Sequence, residues 1–248
     1  MTSRVLLSGG MDSTLCLVLA LREDPSVEAV ACDYGQRHGR RELAAAVLIA
    51  QALTVPLTIV RGLDIGRGSL TGEDGELDAR GAVLPGRNKA LLRAAGWVRG
   101  ERADELWIGA TADDQEVFVD CRRSFFDALE EEWKPREGAP LRIRSPLVAK
   151  SKANIVGMFH EHGASNLLAY AYSCYRGEEM ACGHCGACAA RVRGFGLAGI
   201  TDPGAYEDRR LLSPCPSCQS MGEPTPPGMR CHHPSFGWVG THSDRPVG

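Results

Sequence analysis

The chain is expected to fold as an α/β domain around a doubly wound parallel sheet, Rossmann-like in plan, with a small cysteine-rich region behind it. Three observations lead there. Short apolar runs alternate with helix-length amphipathic segments through the first 165 residues. A Gly-Gly turn joins the first run to the first helix. Seven cysteines (Cys174, Cys182, Cys185, Cys188, Cys215, Cys218 and Cys231) crowd the C-terminal third.

In order, Val5-Leu6-Leu7 reads as a strand, the glycine turn follows, and Leu15, Val18 and Leu19 mark a helix ending near Arg22. A second strand spans Val27 to Cys32, an Ala-rich helix runs from about Arg41 to Leu53, and a third strand covers Leu57 to Val60. Strands alternating with helices at this spacing form βαβ units and hence a parallel sheet. Asp64 to Ala82 is rich in Gly and Asp without a sustained period, which predicts a long loop of the kind that serves as a lid. Lys89 to Arg99 reads as a helix, and Glu105 to Ile108 as a strand ending at Gly109. Ser124 to Trp133 and Ser151 to His162 read as further helices, the second preceded by Ser145-Pro146-Leu147. From Thr201 onward prolines multiply and apolar periodicity fades, predicting an irregular tail that needs some other support. The organisation expected is therefore a nucleotide-binding domain over 1–165, a cysteine region over 166–200 and a tail over 201–248.

With 248 residues, 44% of them hydrophobic and 24% charged, the chain can bury a real core. No apolar run approaches the roughly 20 residues of a membrane helix, and the start lacks a signal peptide's basic and apolar regions. A cytoplasmic protein is expected. A net charge of -3 argues against direct nucleic-acid binding and favours small-molecule partners. Ten cysteines in a reducing compartment point to metal rather than disulfides.

A strand feeding Gly-Gly into a helix start gathers unpaired backbone N–H groups and the positive helix end at one point, where phosphate fits. Leu7, Ser8, Gly9, Gly10, Met11, Asp12, Ser13 and Thr14 form this candidate loop. The glycines permit close approach, the hydroxyls of Ser8, Ser13 and Thr14 can donate, and Asp12 can hold Mg²⁺ or an ordered water. The plain alternative is a strand–helix connection that Asp12 or Ser13 merely caps. The string has neither the Gly-Lys-Ser/Thr of a Walker loop nor the third glycine of a dinucleotide fingerprint. Ser-Gly-Gly-x-Asp-Ser resembles instead the signature of the PP-loop ATP pyrophosphatases. That resemblance implies cleavage of ATP between its α and β phosphates, with AMP left on the substrate.

Cys174-x7-Cys182-x2-Cys185-x2-Cys188 offers four thiolates on a Gly-containing loop, enough to close a tetrahedral, structural Zn²⁺ site. A redox Cys-x-x-Cys or an iron–sulfur cluster is the rival reading. The chemistry suggested by the glycine turn needs no electron transfer, which favours zinc.

Further strings follow in a fixed order: Asp33-Tyr34-Gly35-Gln36-Arg37-His38, Leu84-Pro85-Gly86-Arg87-Asn88, Gly109 through Asp114 to Asp120-Cys121-Arg122, Pro146-Leu147 with Lys152, and Ser173-Cys174-Tyr175-x-Gly177. Together they resemble the 7-cyano-7-deazaguanine synthase (QueC) family from Arg4 to Phe195. The resemblance implies an enzyme that takes 7-carboxy-7-deazaguanine, ammonia and ATP, with Mg²⁺, to a nitrile through an adenylated carboxylate and an amide. It also implies a homodimer. Asp12, Ser13, Arg87 and Lys152 become the catalytic candidates, with Arg87, Arg122 and Lys152 suited to phosphates or the substrate carboxylate. Tyr34, Gln36, Arg37 and His38 are substrate candidates, as are Asp114 and Asp120, whose carboxylates suit a guanine-like edge. Plainer roles stand beside these: Gln36 as a helix cap, Tyr34 as core, His38 as a helix-start hydrogen bonder, Lys152 as a solvated residue.

The chain departs from the family pattern in places. Its first cysteine gap is seven residues where eight is usual, Phe118 stands for tyrosine, Val119 for proline and Asn154 for glutamate. Three neighbouring enzyme readings share the loop: a relative that stops at the amide, one that attaches the activated deazapurine to something other than ammonia, and a tRNA-modifying adenylase. A noncatalytic zinc module that binds nucleic acid is the reading from another class. Beyond the resemblance, Cys215-x2-Cys218-x12-Cys231-His232-His233 predicts a second zinc site formed by Cys215, Cys218, Cys231 and His232, with a tail of incidental thiols as the alternative.

Overall fold

The computed structural model describes residues 1–66, 68, 70–71, 84–115, 117–134, 140–207, 230–233 and 237–241. Residues 72–83, most of the expected lid, and Cys215 and Cys218 of the expected second metal site lie outside them.

Five parallel strands form the central sheet: β1 (Ser3–Leu6), β2 (Glu28–Asp33), β3 (Leu57–Arg61), β6 (Glu105–Trp107) and β7 (Arg142–Arg144). The remaining short strands are β4 (Trp97–Val98), β5 (Glu101–Arg102), β8 (Arg230–His233) and β9 (Gly237–Thr241). The helices are α1 (Met11–Glu23), α2 (Gly39–Ala52), α3 (Arg87–Gly96), α4 (Arg123–Glu132), α5 (Lys152–Glu161) and α6 (Gly186–Ala198). Alternation along β1 explains the layering: Val5 and Leu7 enter one apolar cluster with α1, α2, α5 and α6, whereas Leu6 enters another with α3 and α4. Both sheet faces are thus covered, as a parallel sheet requires. The doubly wound α/β expectation holds.

Strand order is β3-β2-β1-β6-β7. The chain winds outward from β1 through β2 to β3, then resumes on the other side of β1 with β6 and β7. The order therefore reverses between β1 and β6, and open α/β sheets hold ligands at the carboxyl ends of such a pair.

Two local expectations need correction, and one strand escaped the sequence reading. The helix expected to reach Arg99 ends at Gly96, and the chain turns through the antiparallel β4–β5 hairpin, with Arg99 at φ 54 and Gly100 at φ 82. Buried Arg4 fastens this hairpin, donating to Glu28 Oε2 at 3.0 Å and to the Glu101 carbonyl at 3.0 Å. Strand β7 carries alternating Arg-Ile-Arg, too short and too charged to register as apolar, yet Ile143 is buried between the arginines. The tail expected to be irregular contains an antiparallel β8–β9 pair. Its first residues also continue the packed structure: Tyr206 is buried, and Asp202 forms an ion pair with buried Arg191 of α6 at 2.8 Å.

Candidate active site and metal centre

The β1–α1 turn is built by exclusion. Gly9 adopts φ 85, and a Cβ there would lie 2.4 Å from the Glu42 carbonyl of α2, so only glycine fits. Gly10 is the N-cap of α1 and forms no side-chain cap bond, so neither Asp12 nor Ser13 serves as the cap. The leading amides of α1 then have no intrahelical acceptor and face outward with the positive helix end. Ser13 Oγ donates to the Gly10 carbonyl at 3.0 Å and accepts from the Ser8 amide at 3.2 Å, while Thr14 Oγ1 donates to the same carbonyl at 2.8 Å. These bonds stiffen the turn from within. Met11 is core.

Across the switch point, Gly109 follows β6 and packs directly on the turn, where a Cβ would stand 2.7 Å from the Asp12 backbone. Beyond it, Asp114 Oδ2 accepts from the Thr111 amide at 3.0 Å and its hydroxyl at 2.7 Å. Lys152, the first residue of α5, reaches into this corner. Its ammonium donates to Asp12 Oδ2 at 2.6 Å and lies 3.8 Å from Asp114 Oδ1. Lys152 is therefore not a solvated helix residue; its side chain is 12% exposed. Two local features aim it. Ser151 and Asn154 form a reciprocal capping box, in which Asn154 plays the part usual for Glu or Gln. Gly194 of α6 lets that helix approach, since a Cβ there would lie 2.7 Å from Lys152 Cβ.

Electrostatics follow from this burial. Desolvation raises the Asp12 carboxyl above its ordinary value, Lys152 opposes the rise and Asp114 adds to it. Burial disfavours the Lys152 ammonium, but Asp12 and Asp114 outweigh it and hold its pKa above the usual lysine range. Asp12 Oδ1 is buried with no hydrogen-bond partner among the described residues.

One cavity opens from this corner over the carboxyl ends of the sheet. Leu7, Ser8, Gly10, Asp12 and Ser13 line it at the turn, and Ala31, Cys32, Leu91, Ile108 and Ala110 give it an apolar middle. Tyr34, Arg87, Phe118 and Tyr175 also line it, with Gln36, His38 and Asp114. Burial pushes the Cys32 and Cys121 thiols up to about 12, so neither supplies a thiolate at neutral pH. Burial works against the Arg87 guanidinium, yet Tyr34 and Asp120 outweigh it and keep its pKa above the ordinary arginine value. Desolvation likewise raises the phenols of Tyr34 and Tyr175, the latter to about 12, leaving both as neutral donors.

The other sequence candidates divide. Gln36 staples the turn before α2: its Oε1 accepts from the Tyr34 amide at 2.9 Å and its Nε2 donates to the Cys32 carbonyl at 3.2 Å. His38 is the N-cap residue of α2, with Nε2 3.5 Å from Glu42 Oε2. Asp120 accepts from the Asn88 amide at 3.3 Å and so braces α3. Arg37 and Arg122 are exposed, and Arg122 donates to the Gln115 carbonyl at 3.2 Å; the structure does not bring either to the cavity wall. Sequence reasoning gave no role to Glu42 or Tyr175. The first had a readable signal, the i,i+4 spacing from His38 at a helix start.

The four sulfurs of Cys174, Cys182, Cys185 and Cys188 lie within 4.8 Å of one another, all four residues buried. The Cys182–Cys188 and Cys174–Cys185 sulfur pairs are 4.0 and 3.9 Å apart. Zinc–sulfur bonds of about 2.3 Å set tetrahedron edges of about 3.8 Å, so the donor set fits such an ion. Backbone amides of Arg176 and Cys182 point at Cys174 Sγ, each at 3.4 Å, as suits a thiolate. The loop expectation is revised in one respect: Cys185 is the N-cap of α6 and Cys188 stands in that helix's first turn, which fixes two ligands on a rigid element.

A parallel α/β sheet, with a Ser-Gly-Gly-x-Asp-Ser turn at its switch point and a four-cysteine cluster behind, defines a protein of the PP-loop type that can carry a structural metal. The family model described as "Queuosine biosynthesis protein QueC" matches residues 2–199. The chain belongs to the QueC family. It is 38% identical over 224 residues to the 7-cyano-7-deazaguanine synthase of Chlorobium luteolum, covering 84% of this chain and 98% of that one. The enzyme of the same name from Chromobacterium violaceum is 37% identical over 213 residues, 80% of this chain and 91% of its own. That from Rhizobium etli is 35% identical over 238 residues, 90% and 99% respectively. No helix among the described residues is long and apolar enough to cross a membrane.

Proposed function

We propose that this protein is an ATP-dependent 7-cyano-7-deazaguanine synthase, a carbon–nitrogen ligase acting in the cytoplasm as a homodimer on small-molecule substrates. The observation that carries the reading is the cavity of a QueC-family chain, lined by both a phosphate-binding turn and the Arg87 guanidinium among aromatic rings.

The chemistry needs two activations. A carboxylate oxygen of 7-carboxy-7-deazaguanine attacks the α-phosphorus of ATP and pyrophosphate departs. Ammonia adds to the acyl carbon and AMP leaves, taking that oxygen and giving the amide. The amide oxygen then attacks a second ATP, and loss of AMP with the remaining N–H protons leaves the nitrile. The α1 amides and the Ser8 hydroxyl are the donors for the departing pyrophosphate, preorganised by Ser13, whose own hydroxyl is donated to the Gly10 carbonyl. Lys152 holds positive charge beside them, oriented by Asp12. Asp12, with its unpartnered Oδ1, is the residue that would hold Mg²⁺, which neutralises phosphate charge. The four cysteines would hold Zn²⁺, a closed site that contributes folding energy rather than a reacting atom.

The test is direct. Incubated with 7-carboxy-7-deazaguanine, ammonium, Mg²⁺ and ATP, the protein is expected to form the nitrile with two AMP for each product. Amide with one AMP would assign the truncated reaction, and no AMP would refute adenylation.

A further inference from the structure

The part of the cavity wall around Arg87 is built for a planar, negatively charged ring. Tyr34, Phe118 and Tyr175 come from three different parts of the chain, yet all pack against buried Leu70 and Leu84. Arg87 enters the same group: its guanidinium carbon lies 5.6 Å from the Phe118 ring centroid, and the neighbouring Tyr34 favours its charge. Among the described residues Arg87 forms no ion pair, unlike Arg4 or Arg191. Tyr34 and Asp120 keep the guanidinium charged, and with no carboxylate paired to it directly it can grip an incoming anion. Aromatic faces beside it favour a flat, conjugated ligand.

Tyr175 is the most firmly placed of the three rings. The preceding residue is Cys174, whose sulfur accepts the Arg176 and Cys182 amides. Two residues on, Gly177 at φ 76 lies so close to the Arg37–His38 backbone that a Cβ would stand 2.6 Å from the Arg37 carbonyl. The ring centroid itself is 5.8 Å from that of buried His38. The backbone is thus clamped on both sides, so little freedom remains to be lost when a ligand stacks there.

Resting on the functional reading above, we infer that this part of the cavity takes the heterocycle of the acid substrate, its ring stacked on Tyr175 and its carboxylate held by Arg87. Tyr175 is then the specificity-determining residue, and the cysteine cluster's contribution to the site is to fix it. The ATP phosphates bind at the glycine turn, and ATP affinity does not depend on the Tyr175 ring.

Equilibrium binding of 7-carboxy-7-deazaguanine and, separately, of a non-hydrolysable ATP analogue to the full chain tests this. Tyr175→Ala is expected to weaken the deazaguanine about tenfold or more, within the range of a lost base–aromatic stack, and to leave the ATP analogue within about twofold. Tyr175→Phe is expected to retain most affinity for both. An unchanged deazaguanine affinity in Tyr175→Ala, or an equal loss for both ligands, would overturn the inference. Because the variant could lose its metal, the wild-type chain labelled with 3-fluorotyrosine gives a second measurement. Its Tyr175 ¹⁹F resonance is expected to move on adding the deazaguanine and to stay in place on adding the ATP analogue; the reverse would also overturn it. A wild-type chain that binds no 7-carboxy-7-deazaguanine and forms no AMP refutes the functional reading itself, whereas normal turnover with an indifferent Tyr175 refutes only this inference.

Discussion

Lys152 Nζ donates to Asp12 Oδ2 across 2.6 Å although 140 residues separate the two in sequence. Their contact ties the start of α5 to the start of α1 at the point where strand order reverses, placing a cation and a carboxylate beside the amides of the glycine turn. Removing one member of such a shielded pair leaves the other without compensation. Lys152→Met is expected to cut AMP release at least about a hundredfold, as the loss of a transition-state cation does, and to lower stability by urea denaturation. Adding Asp12→Asn should restore stability but not activity. Stability that stays lost in the double variant would show that the pair is not the source.

The acid limb of AMP release should move as well. Burial raises the Asp12 carboxyl, and Lys152 pulls it back down. Taking away a cation that lowers a carboxyl pKa lets it rise, so residual activity in Lys152→Met should fall away at higher pH than in the wild type. A limb that moves to lower pH, or stays fixed, would separate Asp12 from the titration.

Gly9 and Gly10 should respond differently to alanine. At Gly9 the new Cβ meets the Glu42 carbonyl at 2.4 Å and φ is 85; the backbone term alone costs about 1–3 kcal/mol. At Gly10 the nearest neighbour is the Ser8 hydroxyl at 3.4 Å and φ is extended. Thermal denaturation is expected to show a large loss for Gly9→Ala and a small one for Gly10→Ala.

Metal analysis of the purified chain should find zinc held by the four-cysteine cluster, with Cys185→Ser abolishing it and destabilising the fold. The proposed second site in the tail is tested by truncation after Glu207. A cut at Thr201 would also remove Asp202 and Tyr206, which hold Arg191 and cover α6. Two zinc ions in the full chain and one in the truncated chain support the second site; one in both rules it out.

Phe118 stands beneath Arg87 with no hydroxyl to offer. Phe118→Tyr adds one donor to the aromatic part of the cavity and is expected to change KM for the deazaguanine while leaving KM for ATP unaltered. A change confined to ATP would assign Phe118 to the wrong ligand.

Local chemistry made much of this molecule legible before any fold was known. Period-two and period-3.6 patterns marked β1, α1, β2, α2 and β3 within a few residues, because both sheet faces bury apolar side chains. Strand β7 escaped notice because its flanking arginines mask the one buried Ile143, and the β4–β5 hairpin because two residues per strand carry no period. The turn, the cysteine spacing and the ordered strings were readable as strings, since backbone geometry and metal ligation demand particular residue types at particular intervals. What each side chain does was settled only by tertiary contact. Arg37, Arg122 and Arg87 look alike in sequence, yet only Arg87 is turned into the cavity. Lys152 reads as a surface lysine until the capping box and Gly194 aim it at Asp12. Burial, counter-charge and approach distance depend on residues far apart in the chain, and such long-range terms leave no local pattern to read.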